Sequence, residues 1–248
     1  MSAARAVWRI ARAAVHVGHG TLIVATRFPR LDAAGRMQRV QWWSAKYLRL
    51  LGIAVRASGT PLPGPVLIVA NHVSWVDILA LNAVRPARFV SKAQVRHWPL
   101  LGWLVSAAGT LYIERERARD AMRVVHQMAQ ALTEGDVLAV FPEGTTSDGH
   151  AVLPFHANLL QAAVASQTPV QAAVLRYSDA RHAVSPAAAY VGDTTLLQSL
   201  WAIVSAQGLC VHVRLLDARA AAGSDRRALS AQLRADIERA LAGEAAAG

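Results

Sequence analysis

A histidine and an aspartate stand five residues apart in residues 71–77, which read Asn-His-Val-Ser-Trp-Val-Asp. A histidine side chain titrates near neutrality, with an ordinary pKa of about 6.5, and can therefore take up a proton at physiological pH. A carboxylate bonded to its other ring nitrogen fixes the tautomer and stabilises the imidazolium. If the chain turns sharply between His72 and Asp77, the two side chains are placed for general-base catalysis.

The same residues also suit a purely structural role. Ser74 and Asp77 have the spacing of a helix capping box, and Asn71 is a common turn residue. In that case His72 is an ordinary core histidine. The spacing alone leaves both interpretations open.

A second polar segment, residues 142–149, reads Pro-Glu-Gly-Thr-Thr-Ser-Asp-Gly. Its backbone N–H groups and hydroxyls can bind an anion or a polar headgroup, and Glu143 adds a carboxylate. The alternative is a plain turn, for which Asp148-Gly149 is a typical signal.

Both segments follow predicted strands. Short apolar runs predict strands at residues 66–70, 87–90, 110–113, 137–141, 170–175 and 209–215. Helical patterns occupy about 36–52, 75–83, 99–107, 116–133, 157–166, 195–205 and 224–241. This alternation predicts the α/β class, with a mostly parallel central sheet covered by helices. Ligands in such sheets bind beyond the carboxyl ends of the strands, so we expect the chemistry there.

The positive charge of the chain is concentrated at its N-terminus. The 248 residues carry a net charge of +10, and residues 1–60 hold ten of the 26 basic residues but one of the 16 acidic ones. Tryptophan and leucine are interleaved with these arginines, as on a surface that contacts anionic lipid. Residues 13–26 are too short to span a bilayer between Arg12 and Arg27. We therefore expect an amphipathic helical segment that lies in one leaflet.

The same charge also suits a solvated helix face or a nucleic-acid surface. We expect no nucleic-acid partner, because no nucleic-acid motif accompanies the arginines. The composition, 54% hydrophobic with one cysteine, excludes global disorder and a disulfide framework. We predict a membrane-associating segment at 1–56, a catalytic α/β domain at 57–217 and a C-terminal helix and tail at 218–248. No residues have the spacing of a metal site.

Four blocks, taken together, resemble the lysophosphatidate acyltransferase family of glycerolipid acyltransferases. They are Asn-His-x4-Asp at 71–77, Phe-Val-Ser-Lys at 89–92 continuing to Glu-Arg at 114–115, Phe-Pro-Glu-Gly-Thr at 141–145, and Thr-Pro-Val-Gln-Ala-Ala-Val at 168–174. The resemblance covers residues 35–180.

The resemblance implies transfer of an acyl group from acyl-CoA or acyl carrier protein to a lysolipid hydroxyl, without a cofactor. It assigns His72 as general base and Asp77 as its partner. It implies that the loop with Glu143, Gly144, Thr145 and Thr146 binds the acceptor. Lastly, it implies that Lys92 and Arg115 lie near the anionic headgroup, to which arginine is well suited.

One departure bears on the acceptor. Many family members have arginine after Glu-Gly-Thr, where this chain has the neutral Thr146. The first hypothesis is a membrane-associated enzyme, on the cytoplasmic face of the inner membrane, that makes phosphatidic acid from 1-acyl-sn-glycerol 3-phosphate. Sequences with Glu-Gly-Thr-Thr, as at 143–146, also resemble the lyso-ornithine-lipid acyltransferase branch, whose acceptor lacks phosphate. The alternative hypothesis is therefore a lyso-ornithine-lipid O-acyltransferase. A third hypothesis is a non-catalytic lipid- or nucleic-acid-binding protein.

Overall fold

A seven-stranded sheet lies at the centre of the computed structural model, which describes residues 3–113 and 118–246. The strands are β1 Ala54–Ser58, β2 Val66–Ala70, β3 Arg88–Lys92, β4 Leu111–Ile113, β5 Val137–Val140, β6 Val170–Ser178 and β7 Cys210–Arg219. The helices are α1 Ala3–Thr26, α2 Ala33–Leu51, α3 Asp77–Val84, α4 Leu101–Ala107, α5 Ala118–Thr133, α6 Gln161–Ser166, α7 Leu196–Ser205 and α8 Arg226–Ala246.

The strand order is β1-β7-β6-β2-β5-β3-β4. Every neighbouring pair is parallel except β6 and β7, which run antiparallel. The carboxyl ends of β6, β2, β5, β3 and β4 therefore lie along one edge of the sheet. The predicted α/β class with a mostly parallel sheet is confirmed.

Alternating side chains of the central strands enter two separate cores. In β2, Ile68 belongs to the core on one face and Leu67 to the core on the other, which explains why the whole strand is apolar. The two faces are covered by different helices: α1, α2, α3 and α7 on the first, and α5, α6 and α8 on the second.

Helix α1 is longer than the predicted segment 13–26 and is part of the fold. Ala6 and Ala13 are buried in the first core, and the Arg9 guanidinium donates to the Val204 carbonyl at the end of α7 over 2.9 Å. The other side of α1 leaves large apolar side chains exposed: Val7, Trp8, Val15 and Leu22. Among the described helices, none has the length and apolar character needed to cross a bilayer.

Sequence patterns missed one strand and shortened two others. The predicted boundary at residue 56 falls inside β1, whose Arg56 and Ser58 give it no apolar run. β6 and β7 extend to Ser178 and Arg219, beyond the predicted ends at 175 and 215, because they pair with each other along most of their length. Such pairing connects residues that are distant in sequence, and local composition does not report it.

Candidate active site

Two loops meet at the carboxyl edge of the sheet because β2 and β5 are parallel neighbours. The loop after β2 carries Asn71 and His72, and the loop after β5 carries residues 141–149. This placement agrees with the prediction that the chemistry lies beyond the strand ends.

The imidazole of His72 contacts the carboxylate of Asp77, with 2.8 Å between Nδ1 and Oδ2. The contact forms because the chain turns after β2 and α3 begins at Asp77 itself. Asp77 is fully buried, whereas the His72 side chain is 18% exposed. A carboxylate oxygen accepts, so Nδ1 donates, and in the neutral ring Nε2 then keeps its lone pair. Nε2 has no hydrogen-bond partner among the described residues.

Three further donors hold the Asp77 carboxylate. The backbone N–H groups of Val73 and Ser74 donate to Oδ2 over 2.7 and 2.8 Å, and the Tyr177 hydroxyl donates to Oδ1 over 2.6 Å. Burial first, and the Asp77 charge second, raise the pKa of Tyr177 well above its ordinary value, so the phenol remains a donor. These bonds offset the cost of burying the carboxylate.

The capping box expected from Ser74 and Asp77 is only half present. Asp77 accepts the Ser74 N–H, but the Ser74 hydroxyl is buried and finds no partner in the described part of the chain. The Asp77 carboxylate therefore fixes the turn before α3 and contacts the His72 imidazole, while the N-cap of α3, Val76, has no side-chain hydrogen bond.

The backbone of His72 is fixed by the loop after β5. Its N–H donates to Glu143 Oε1 over 2.7 Å, and its carbonyl accepts the Ser147 N–H over 2.8 Å. Glu143 Oε2 accepts the Leu153 N–H over 2.8 Å, so this buried carboxylate joins three chain segments. Burial raises the pKa of Glu143, while its two N–H bonds act in the opposite direction. The imidazole lies parallel to the Phe141 ring, with 4.0 Å between centroids.

The remaining residues of the predicted acceptor loop have different surroundings. Gly144 has φ +71°, a left-handed conformation that favours glycine, and its N–H bonds the Phe141 carbonyl over 3.1 Å. Thr145 is exposed. The Thr146 hydroxyl donates to the Tyr190 carbonyl, and the Tyr190 N–H donates to the Val73 carbonyl over 3.0 Å. Thr146 thus holds the segment after β6 against the site.

Of the two predicted cationic residues, the structure describes only Lys92, which is not part of this cluster. Lys92 is exposed at the end of β3, which is two strands, or about 10 Å, from β2 along the same edge. Arg115 lies outside the described residues. The structure therefore brings together His72, Asp77, Glu143 and the threonine loop, with Lys92 farther along the edge.

Sequence reasoning missed two contributors. Asn71, interpreted as a turn residue, instead uses its side-chain amide to bond both the N–H and the carbonyl of Leu175, over 2.8 and 2.9 Å. Its position directly after a buried strand was the available signal. Tyr177 gave no signal, because its spacing with Ala173 and Leu175 is that of an ordinary core strand.

This arrangement can perform general-base chemistry. Nε2 of His72 is free to take a proton while Asp77 stabilises the imidazolium that forms. Within the described residues, no serine or cysteine side chain bonds the imidazole of His72, and no group of three metal-ligating side chains lies together. The fold and the site define an α/β enzyme built around a histidine–aspartate pair at a strand end.

Comparison with known proteins identifies the class of enzyme. A family model described as Acyltransferase matches residues 53–176. The chain is 39% identical over 222 residues to a lyso-ornithine lipid O-acyltransferase of Pseudomonas aeruginosa, covering 89% of this chain and 85% of that one. It is 37% identical over 198 residues to a 1-acyl-sn-glycerol-3-phosphate acyltransferase of Neisseria meningitidis, covering 79% and 76%. The chain therefore belongs to the lysophosphatidate and lysolipid acyltransferase family and is an acyltransferase.

A solved structure shares the fold. The crystal structure of the 1-acyl-sn-glycerophosphate acyltransferase PlsC from Thermotoga maritima superposes with a TM-score of 0.70 at 19% identity. The match covers 96% of this chain and 94% of that chain, so it includes the N-terminal helices.

Removing the Tyr177 hydroxyl tests its part in the site. In Tyr177→Phe, the buried Asp77 loses one donor, and a hydrogen bond to a charged group contributes about 1.5–3 kcal/mol. We expect kcat to fall about tenfold or more while KM changes little. The same change at Tyr47, on α2, is the matched control. Equal kcat in both variants and the wild type would show that Tyr177 has no part in orienting the pair.

Proposed function

We propose that the protein transfers an acyl group from an acyl thioester to the free hydroxyl of a lysolipid, with His72 as general base. The observation that carries this proposal is the 2.8 Å contact between His72 and the buried Asp77 at the carboxyl edge of the sheet. Membership of the acyltransferase family supplies the reaction class.

The chemistry requires one proton relay. Nε2 of His72 takes the hydroxyl proton as the alcohol oxygen attacks the thioester carbonyl. The tetrahedral adduct then collapses, the C–S bond breaks, and the imidazolium returns the proton to the departing thiolate. An enzyme nucleophile is unnecessary, because a thioester is already activated.

The donor in this proposal is acyl-CoA or acyl carrier protein, and no cofactor takes part. The acceptor reaches the site from an anionic membrane surface on the cytoplasmic face of the inner membrane. Support for the membrane comes from α1, whose outer side combines exposed Trp8 and Leu22 with exposed Arg5 and Arg12. Basic and aromatic side chains on one helix side suit an anionic interface.

Two acceptors fit the same chemistry, and we put lyso-ornithine lipid first. Thr146 carries no charge, and its hydroxyl already donates to the Tyr190 carbonyl, so it is not the phosphate ligand that an arginine would be at this position. The Pseudomonas relative acts on this lipid by its name.

Lysophosphatidate, which would give phosphatidic acid, is the second candidate. It is favoured by the name of the Neisseria relative and by Lys92, an exposed cation at the same edge of the sheet. In this case the phosphate is bound farther from Thr146.

Loss of the base tests the reaction. In His72→Ala, no group remains to accept the hydroxyl proton, and we expect the rate of diacyl product formation to fall at least about a thousandfold, in the range typical of general-base removal. His150→Ala, an exposed histidine on the neighbouring loop, is the matched control and should retain full activity. Undiminished turnover by His72→Ala would show that His72 is not the general base.

An acceptor panel separates the two candidates. We expect wild-type kcat/KM to be higher for lyso-ornithine lipid than for lysophosphatidate. Thr146→Arg adds a cation and should raise the lysophosphatidate-to-lyso-ornithine ratio about tenfold, since a charge-assisted bond contributes more than about 1.4 kcal/mol. Thr146→Val removes the hydroxyl without adding charge and should leave the ratio unchanged. A wild-type preference for lysophosphatidate would reverse the order of the candidates.

A further inference from the structure

Residues 98–103, Trp-Pro-Leu-Leu-Gly-Trp, form an exposed apolar patch outside α1. The exposed fractions are 47% for Trp98, 47% for Leu100, 37% for Leu101 and 45% for Trp103. Single exposed apolar side chains are common, but four within six consecutive residues make a patch that indicates a partner.

The backbone under this patch is closely packed. Leu100 has φ +60°, which a residue with a side chain rarely adopts. Gly102 lies so close to the chain that a Cβ there would be 2.2 Å from the Arg96 carbonyl oxygen, and its own carbonyl accepts the Ser106 hydroxyl over 2.6 Å. The turn is therefore strained, and the Leu100 side chain within it is about half exposed.

Basic residues precede the patch in sequence. Residues 78–113 contain no aspartate or glutamate, while Lys92 and Arg96 are exposed directly before the patch. An apolar centre with cations beside it fits an anionic lipid surface, which attracts basic residues.

The patch lies where a lipid substrate must arrive. It follows β3, whose carboxyl end shares the edge of the sheet with His72. Helix α4, which begins within the patch, packs against α1. Two of the elements that leave large apolar side chains exposed, α1 and the segment 98–103, are therefore neighbours.

We propose that residues 98–103 insert into the interface of an anionic bilayer, as a second membrane contact beside α1. Trp98 and Trp103 lie at headgroup level, and Leu100 and Leu101 lie at the boundary with the acyl chains. A bilayer fits better than an acidic protein, because cations alone suffice for an acidic partner and leave the four apolar side chains unexplained. This inference rests on the proposed lipid acceptor.

A fluorescent label at position 100 tests the insertion in the full chain. Leu100→Cys in a Cys210→Ala background gives one reactive thiol, since the chain has a single cysteine. An environment-sensitive dye is attached, and vesicles of phosphatidylglycerol and phosphatidylethanolamine are added. We expect a blue shift, together with quenching by lipids brominated on the acyl chains. Trp103→Cys provides a second reporter.

Met122→Cys is the matched control, because Met122 is 75% exposed on α5, on the opposite face of the sheet from α1. The dye there should not respond to vesicles. The proposal is overturned if the dye at 100 stays in water when the protein is mixed with vesicles, whether or not the protein binds them. It is also overturned if the dye responds only to protein concentration, which indicates a second copy of the chain, or only to acyl carrier protein.

Acyl transfer by the labelled protein to detergent-dispersed acceptor is measured in parallel. Insertion without turnover would contradict the proposed function and leave the membrane contact standing. Turnover without insertion would overturn the proposed membrane contact of residues 98–103 and leave the proposed function standing.

Discussion

The buried carboxylate of Asp77 is the constraint on which the site depends. A carboxylate without solvent must be surrounded by donors, and here they are two backbone N–H groups, a phenol and an imidazole. The turn between β2 and α3 follows from this requirement, because only a tight turn brings the Val73 and Ser74 N–H groups to one oxygen. The imidazole orientation is thus a consequence of how α3 begins.

The same constraint links distant parts of the chain. Tyr177 lies on β6, and Glu143 on the loop after β5 holds the backbone of His72 in place. The parallel order β6-β2-β5 brings these three strand ends together. Nε2 has no hydrogen-bond partner among the described residues, and the His72 side chain is 18% exposed. Residues 98–103 follow β3, whose carboxyl end lies on the same edge of the sheet.

Sequence reasoning reached the parts of this arrangement that are encoded locally. The α/β class followed from alternating patterns. His72, Asp77 and Glu143 were singled out from residue type and position after strands, and the structure places them close together. Tyr177 was missed because the local sequence does not show that a core tyrosine donates a hydrogen bond to a buried carboxylate. Asn71 was misinterpreted because its partner, Leu175, is 104 residues away. β1 was missed because its parallel pairing with β7, rather than its own composition, makes it a strand. The engagement of Thr146 with Tyr190 is likewise a contact between distant loops.

The most direct test of the central claim is the position of the hydrogen on the neutral His72 ring. Nitrogen-15 NMR of histidine-labelled protein reports it, with His72→Gln identifying the resonances among the nine histidines. We predict that the hydrogen is on Nδ1, donated to Asp77, and that Nε2 carries the free lone pair. A hydrogen on Nε2 would contradict this, because the ring would then have no basic nitrogen to offer a lysolipid hydroxyl.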